Sequence, residues 1–173
     1  MRGPGVDVMI ADGRVALRET DGPFDMILGD TYDDLFIPPH LVTREFFELA
    51  RNRLGKDGII IMNVVDAAET NLLTQSIAAT MRAVFPMVEF WHRNGDVDFK
   101  SFLLVGAKEG NACALKKSIT LGKVVWFCND ARDPEIVGTD AIVLTDNFAP
   151  VDRLISFEPQ QRGKAPSVTA DPL

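Results

Sequence analysis

Short apolar runs separated by helix signals recur along the first half of the chain, and they leave few architectures open. Val6-Asp7-Val8-Met9-Ile10 reads as a strand that ends at the turn signal Asp12-Gly13. Residues 14–20 read as a short helix carrying Val15, Ala16 and Leu17, broken by Asp21-Gly22-Pro23. Phe24-Asp25-Met26-Ile27-Leu28 is a second strand, again closed by an acid, Asp30. Thr43 is a good helix N-cap. Phe46, Phe47, Ala50 and Leu54 follow it at helical spacing, and Gly55 suits the position after the last turn. Lys56-Asp57-Gly58 turns the chain. Ile59-Ile60-Ile61-Met62 is apolar on consecutive residues, the pattern of a parallel strand buried on both faces.

Asp66 and Glu69 stand at capping-box spacing before Leu73, Ile77, Met81 and Val84, an amphipathic helix that ends ahead of Pro86. Residues 88–92 and 99–105 form an expected antiparallel hairpin joined through Asn94-Gly95-Asp96. Residues 115–121 and 124–128 fit either short helices or strands. Strands alternating with helices, then a strand pair, define an α/β layout. In such folds ligands sit at the carboxyl ends of the parallel strands. Asp12, Asp30 and Asn63 fall at that edge.

Composition narrows the partners. The 173 residues include 18 Lys+Arg and 25 Asp+Glu, and 18 − 25 gives a net charge of −7. That balance argues against nucleic acid or an anionic membrane as partner, since both need basic surface. With 46% hydrophobic residues the chain is rich enough in apolar groups to fold. No run resembles a signal peptide or a membrane span, so a cytoplasmic location is expected. Cys113 and Cys128 are expected as reduced, buried thiols rather than part of a zinc site. Residues 1–157 are expected to form the α/β domain, and residues 158–173, with few large apolar groups, a flexible tail.

Two acidic sites carry the candidate chemistry. Asp12 either accepts a hydrogen bond from an exocyclic amine, such as that of adenine, or closes an Asx turn. Asp30-Thr31-Tyr32-Asp33-Asp34 places three carboxylates within five residues. Crowded carboxylates raise one another's proton affinity and attract a cationic amine, and one of them can take that amine's proton. A solvated acidic loop, a helix cap and a Mg²⁺ site are the other readings of this run. His40 and His92 lack a Ser, Cys or acid partner in the sequence, which disfavours a hydrolase triad. Asp146-Asn147-Phe148-Ala149-Pro150 reads as a structural loop packed on the core.

Taken in order, several of these segments resemble spermidine synthase-like aminopropyltransferases. They are Ile10-Ala11-Asp12-Gly13-Arg14, Phe24-Asp25-Met26-Ile27-Leu28-Gly29-Asp30, Pro38-Pro39-His40-Leu41-Val42-Thr43-Arg44-Glu45-Phe46-Phe47 and Leu54-Gly55-Lys56-Asp57-Gly58. Leu144-Thr145-Asp146-Asn147-Phe148-Ala149-Pro150-Val151-Asp152 resembles the carboxyl-terminal signature of bacterial members.

The resemblance implies a Rossmann-like, class I S-adenosylmethionine-dependent methyltransferase fold. It also implies transfer of an aminopropyl group from decarboxylated S-adenosylmethionine, as co-substrate and without a metal, to a diamine such as putrescine. Carried over, Asp12 with Gly13 would hold the adenosyl part, and Asp30 would orient and deprotonate the attacking amine. Asp33 and Tyr32 would bind the diamine, and residues 31–41 would gate the pocket. Thr31-Tyr32 stands where the family has two serines, which fits a less-defined branch. The family's N-terminal β-domain and glycine-rich loop have no counterpart here, so a domain lacking its first strands is expected. In the family's strand order, two strands lie between those at residues 6–10 and 24–28. Without them, either these two strands pair directly or the second becomes an open edge. An open edge in turn implies self-association or a partner segment. A methyltransferase acting on another small molecule, and a non-catalytic remnant serving as a binding or assembly module, are the alternatives.

Overall fold

The computed structural model describes residues 5–31, 36–67, 70–93, 99–110, 118–121, 124–131, 133 and 136–155. The Asp12-Gly13 turn opens α1, Gly13–Glu19. The strand β1, Phe24–Gly29, follows it. Thr43 then starts α2, Arg44–Arg53, its hydroxyl accepting from the Phe46 amide at 3.3 Å. The chain passes directly into β2, Leu54–Ala67. Helix α3 spans Leu72–Arg82. The expected hairpin is β3, Met87–Arg93, against β4, Phe99–Ala107, antiparallel throughout; its turn residues lie outside those described. The ambiguous segments resolve as strands β5, Ser118–Leu121, and β6, Val124–Asp130. A short helix α4, Val151–Leu154, closes the described chain.

Six strands form one sheet in the order β1-β2-β4-β3-β6-β5. Among the described residues only the β1–β2 pair is parallel; the β2–β4, β3–β4, β3–β6 and β5–β6 pairs are antiparallel. Strand β2 is therefore not the doubly buried parallel strand its four-residue apolar run implies. Its burial alternates: Ile60, Met62 and Val64 are buried, whereas Ile59, Ile61 and Asn63 are half-exposed. One face is covered, because α3 packs on β2, β3 and β4, and α2 packs on β2 and α3. Phe47, Ile60, Met62, Leu73, Ile77 and Met81 meet in that core with essentially no solvent contact.

Three local readings need correction. Residues 6–10 are not a strand; Ile10 is fully exposed and Val6, Val8 and Met9 are more than half exposed. A β-branched run becomes a strand only when a neighbour completes its ladder, and among the described residues none does. Strand β1 accordingly stands at the sheet edge, with Met26 and Leu28 exposed. Lys56-Asp57-Gly58 does not interrupt the chain either. It bulges within β2, where Phe24 pairs Leu54 but Met26 pairs Ile59. A side chain on Gly58 would run into the Phe24 carbonyl, so the bulge needs glycine there. Finally, Cys128 is disulfide-bonded rather than a reduced thiol. Spacing in sequence does not tell which thiols the fold brings within bonding reach; Cys113 lies outside the described residues.

Candidate active site

The two singled-out acids reach the same end of the molecule by different local means. Asp12 is the N-cap of α1: its Oδ1 accepts from the amides of Arg14 at 3.0 Å and Val15 at 3.2 Å. Asp30 follows β1 directly. Gly29 brings β1 against the Met62 side chain so closely that a Cβ there would overlap the sulfur unless Met62 shifted. Asp30 is exposed, and its Oδ1 accepts from Asn63 Nδ2 at 2.9 Å. Asn63 thus joins Asp30 across the parallel pair, as the edge argument expects. A cavity of about 300 Å³ lies between α1 and β1, mostly apolar in its lining. Gly13, next to Asp12, and Gly29 and Thr31, which flank Asp30, all line it. Tyr32 and Asp33 lie outside the described residues, as does the rest of 32–35 within the expected gate at 31–41.

Sequence reasoning missed what surrounds Asp12. His40, in a 3₁₀ turn at Pro39–Leu41, places Nε2 2.6 Å from Asp12 Oδ2. That hydrogen bond, ahead of the helix amides, holds the Asp12 carboxyl below the ordinary aspartate value. Arg14, one residue past Gly13, forms a two-pronged ion pair with Asp146, both N–O distances 2.8 Å. Asp146 is thereby lowered and Arg14 raised, each chiefly by the other. The Thr43 hydroxyl donates to Asp146 Oδ1 at 2.7 Å, and the Asp146 amide donates to Glu45 Oε2 at 3.0 Å. The segment at 146, expected to be a plain structural loop, therefore reaches the site across 132 positions of sequence. Among the described residues no cluster of three or more His, Cys, Asp or Glu is placed to hold a metal ion.

The three segments that meet here, at residues 12–14, 40–45 and 146, belong to three of the five stretches that carry the family resemblance. The family model of the spermine/spermidine synthase domain matches residues 1–92, more than half of the chain. The chain belongs to that family. A polyamine aminopropyltransferase from Synechococcus is 34% identical over 89 residues, which cover 50% of this chain and 28% of the relative. One from Thermococcus kodakarensis is 29% identical over 124 residues, covering 61% of this chain and 42% of the relative. Among solved structures, a probable spermidine synthase from Corynebacterium glutamicum superposes with a TM-score of 0.65 at 21% identity, over 82% of this chain and 55% of that one. The fold is thus that of the spermidine synthases, the class I S-adenosylmethionine-dependent methyltransferase-like α/β fold. The chain spans less than half the length of these two curated relatives. No helix among the described residues is long and apolar enough to cross a membrane.

Proposed function

We propose that this chain carries the acceptor-activating part of an aminopropyl transfer from decarboxylated S-adenosylmethionine to a diamine such as putrescine. The observation that supports it most is the cavity whose lining includes the neighbours of both Asp12 and Asp30. Its apolar walls suit a thioether and a propyl chain, and Asp12 and Asp30 are each next in sequence to a residue that lines it. Asp12, with Gly13, would receive the adenosyl amine. Asp30 would hold the attacking nitrogen and take its proton as the new carbon–nitrogen bond forms. In the same step the bond from that carbon to the sulfonium sulfur breaks, and the electron pair stays on sulfur, so methylthioadenosine leaves neutral. Tyr32 and Asp33 would hold the far ammonium of the diamine. Asn63, donating to Asp30, keeps one carboxylate oxygen engaged and leaves the other for the amine.

Turnover tests the reading. With decarboxylated S-adenosylmethionine and putrescine, methylthioadenosine should appear, and Asp30→Ala should abolish it while leaving the thermal midpoint nearly unchanged. Equal turnover in that variant would overturn the role of Asp30. Release of S-adenosylhomocysteine from S-adenosylmethionine would instead identify a methyltransferase. No product and no binding of either donor would leave the non-catalytic module. A cytoplasmic location goes with this proposal and is read by cell fractionation. Self-association, or recruitment of a partner segment, along the open edge of β1 belongs to it too. Light scattering at high protein concentration tests the former, and a clean monomer counts against it.

A further inference from the structure

Helix α1 presents Asp12 yet has little of its own to hold it in place. It is seven residues long and none of its side chains is fully buried. Helices this short are marginal without outside support. Besides the packing of Leu17 on the core, its support is polar and comes from far along the chain. Thr145 and Phe148 exchange backbone hydrogen bonds at 3.0 and 2.9 Å, closing a tight turn with Asp146 inside it. Leu144, fully buried, anchors that turn, and its amide donates to Thr80 Oγ1 while its carbonyl accepts from the Arg44 amide. Asp146 is thus fixed to α2 and α3 before it meets Arg14. The Arg14 side chain is only 13% exposed, its guanidinium is gripped by both Asp146 oxygens, and its Nη1 also lies 3.5 Å from the His40 carbonyl. One rigid fork therefore ties down the first turn of α1 and the residue whose imidazole meets Asp12.

We propose that Asp146 is a positioning residue: through Arg14 it sets the Asp12 carboxylate, and with it the selectivity of the site for a ligand bearing an exocyclic amine. The inference rests on the reading of Asp12 as the acceptor for the adenosyl amine. Asp12 Oδ1 is taken by the helix amides and Oδ2 by His40, so the carboxylate has one orientation and a limited set of free lone pairs. A small rotation of α1 would redirect those lone pairs without emptying the apolar cavity. Loss of Asp146 should therefore cost discrimination more than it costs binding.

The probe is a matched pair, methylthioadenosine and its 6-oxo analogue methylthioinosine, titrated calorimetrically into the full chain. Wild type should prefer the amine form by about tenfold or more, the worth of one hydrogen bond to a charged acceptor. Asp146→Ala should bring the two affinities within about twofold, with methylthioinosine binding little changed. A purely structural role would weaken both ligands alike and leave their ratio intact, and that result would overturn the proposal. If Asp146→Ala does not fold, Arg14→Lys is read in the same way, since lysine keeps the charge but not the two-pronged grip. Wild type that binds both nucleosides without preference would contradict the reading of Asp12 itself. Wild type that discriminates alongside an Asp146→Ala chain that discriminates equally would contradict the positioning role alone.

Discussion

Asp12 and Asp66 both serve the start of a helix, and their surroundings could hardly differ more. Asp12 caps α1 at the surface, its carboxylate 41% exposed and met by His40. Asp66 is completely buried. One of its oxygens accepts from the Thr74 amide at 2.8 Å and the Thr74 hydroxyl at 3.0 Å, while the other takes the Ala67 amide. Burial raises Asp66 above the ordinary aspartate value, whereas its hydrogen bonds pull the other way. Asp12 is lowered. A carboxylate enclosed by its own chain stabilises a fold. A carboxylate with one open side, beside a cavity, has capacity left for a ligand. The difference separates structure from function among residues that the sequence presents as similar.

The largest effect on stability should come from Asp66→Ala. It strands two buried donors of Thr74, at a cost of about 1–3 kcal/mol each before relaxation. Urea unfolding should show a loss of at least about 2 kcal/mol; a loss within error would mean that the buried cap is dispensable. Asp12→Ala should cost only about 1 kcal/mol, the worth of an exposed helix cap. An equal or larger loss than at Asp66 would erase the contrast.

The smallest effect is in pH dependence, and the two sites should have opposite signs. The folded-state value of Asp66 lies above 3.8, so its contribution is present below that value and is lost as pH rises through the raised one. Asp146 and Asp12 lie below 3.8, so their contributions are present above it and are lost as pH falls through the lowered values. Thermal midpoints measured from acid to neutrality should show Asp66→Asn flattening the decline above 3.8, and Asp146→Asn flattening the decline below it. The same slope change from both variants would contradict the assignment of their surroundings.

Local chemistry wrote much of the fold into the sequence. Thr43 marks the start of α2, the segments at 88–92 and 99–105 pair antiparallel as read, and the spacing from Leu73 to Met81 is that of α3. Asp66 was legible as a cap, but the N-cap position itself is Asn71, in a left-handed conformation. Glu69, its expected capping partner, lies outside the described residues. What failed depends on neighbours distant in sequence. Residues 6–10 have strand composition without a strand to pair with, and β2 owes its one-sided burial to the helices packed on it. At the site, Asp12 and Asp30 could be picked out because each ends an apolar run. His40 could not, because its partner is 28 residues away, and the Arg14–Asp146 fork spans nearly the whole domain.

The central claim is that Asp12 faces a ligand while Asp66 serves only the fold. Titration of methylthioadenosine into wild type, Asp12→Ala and Asp66→Asn tests it most directly. The expected result is binding by wild type and Asp66→Asn with similar affinity, and at least about tenfold weaker binding by Asp12→Ala. Equal affinity in wild type and Asp12→Ala, or no binding by wild type, would contradict it.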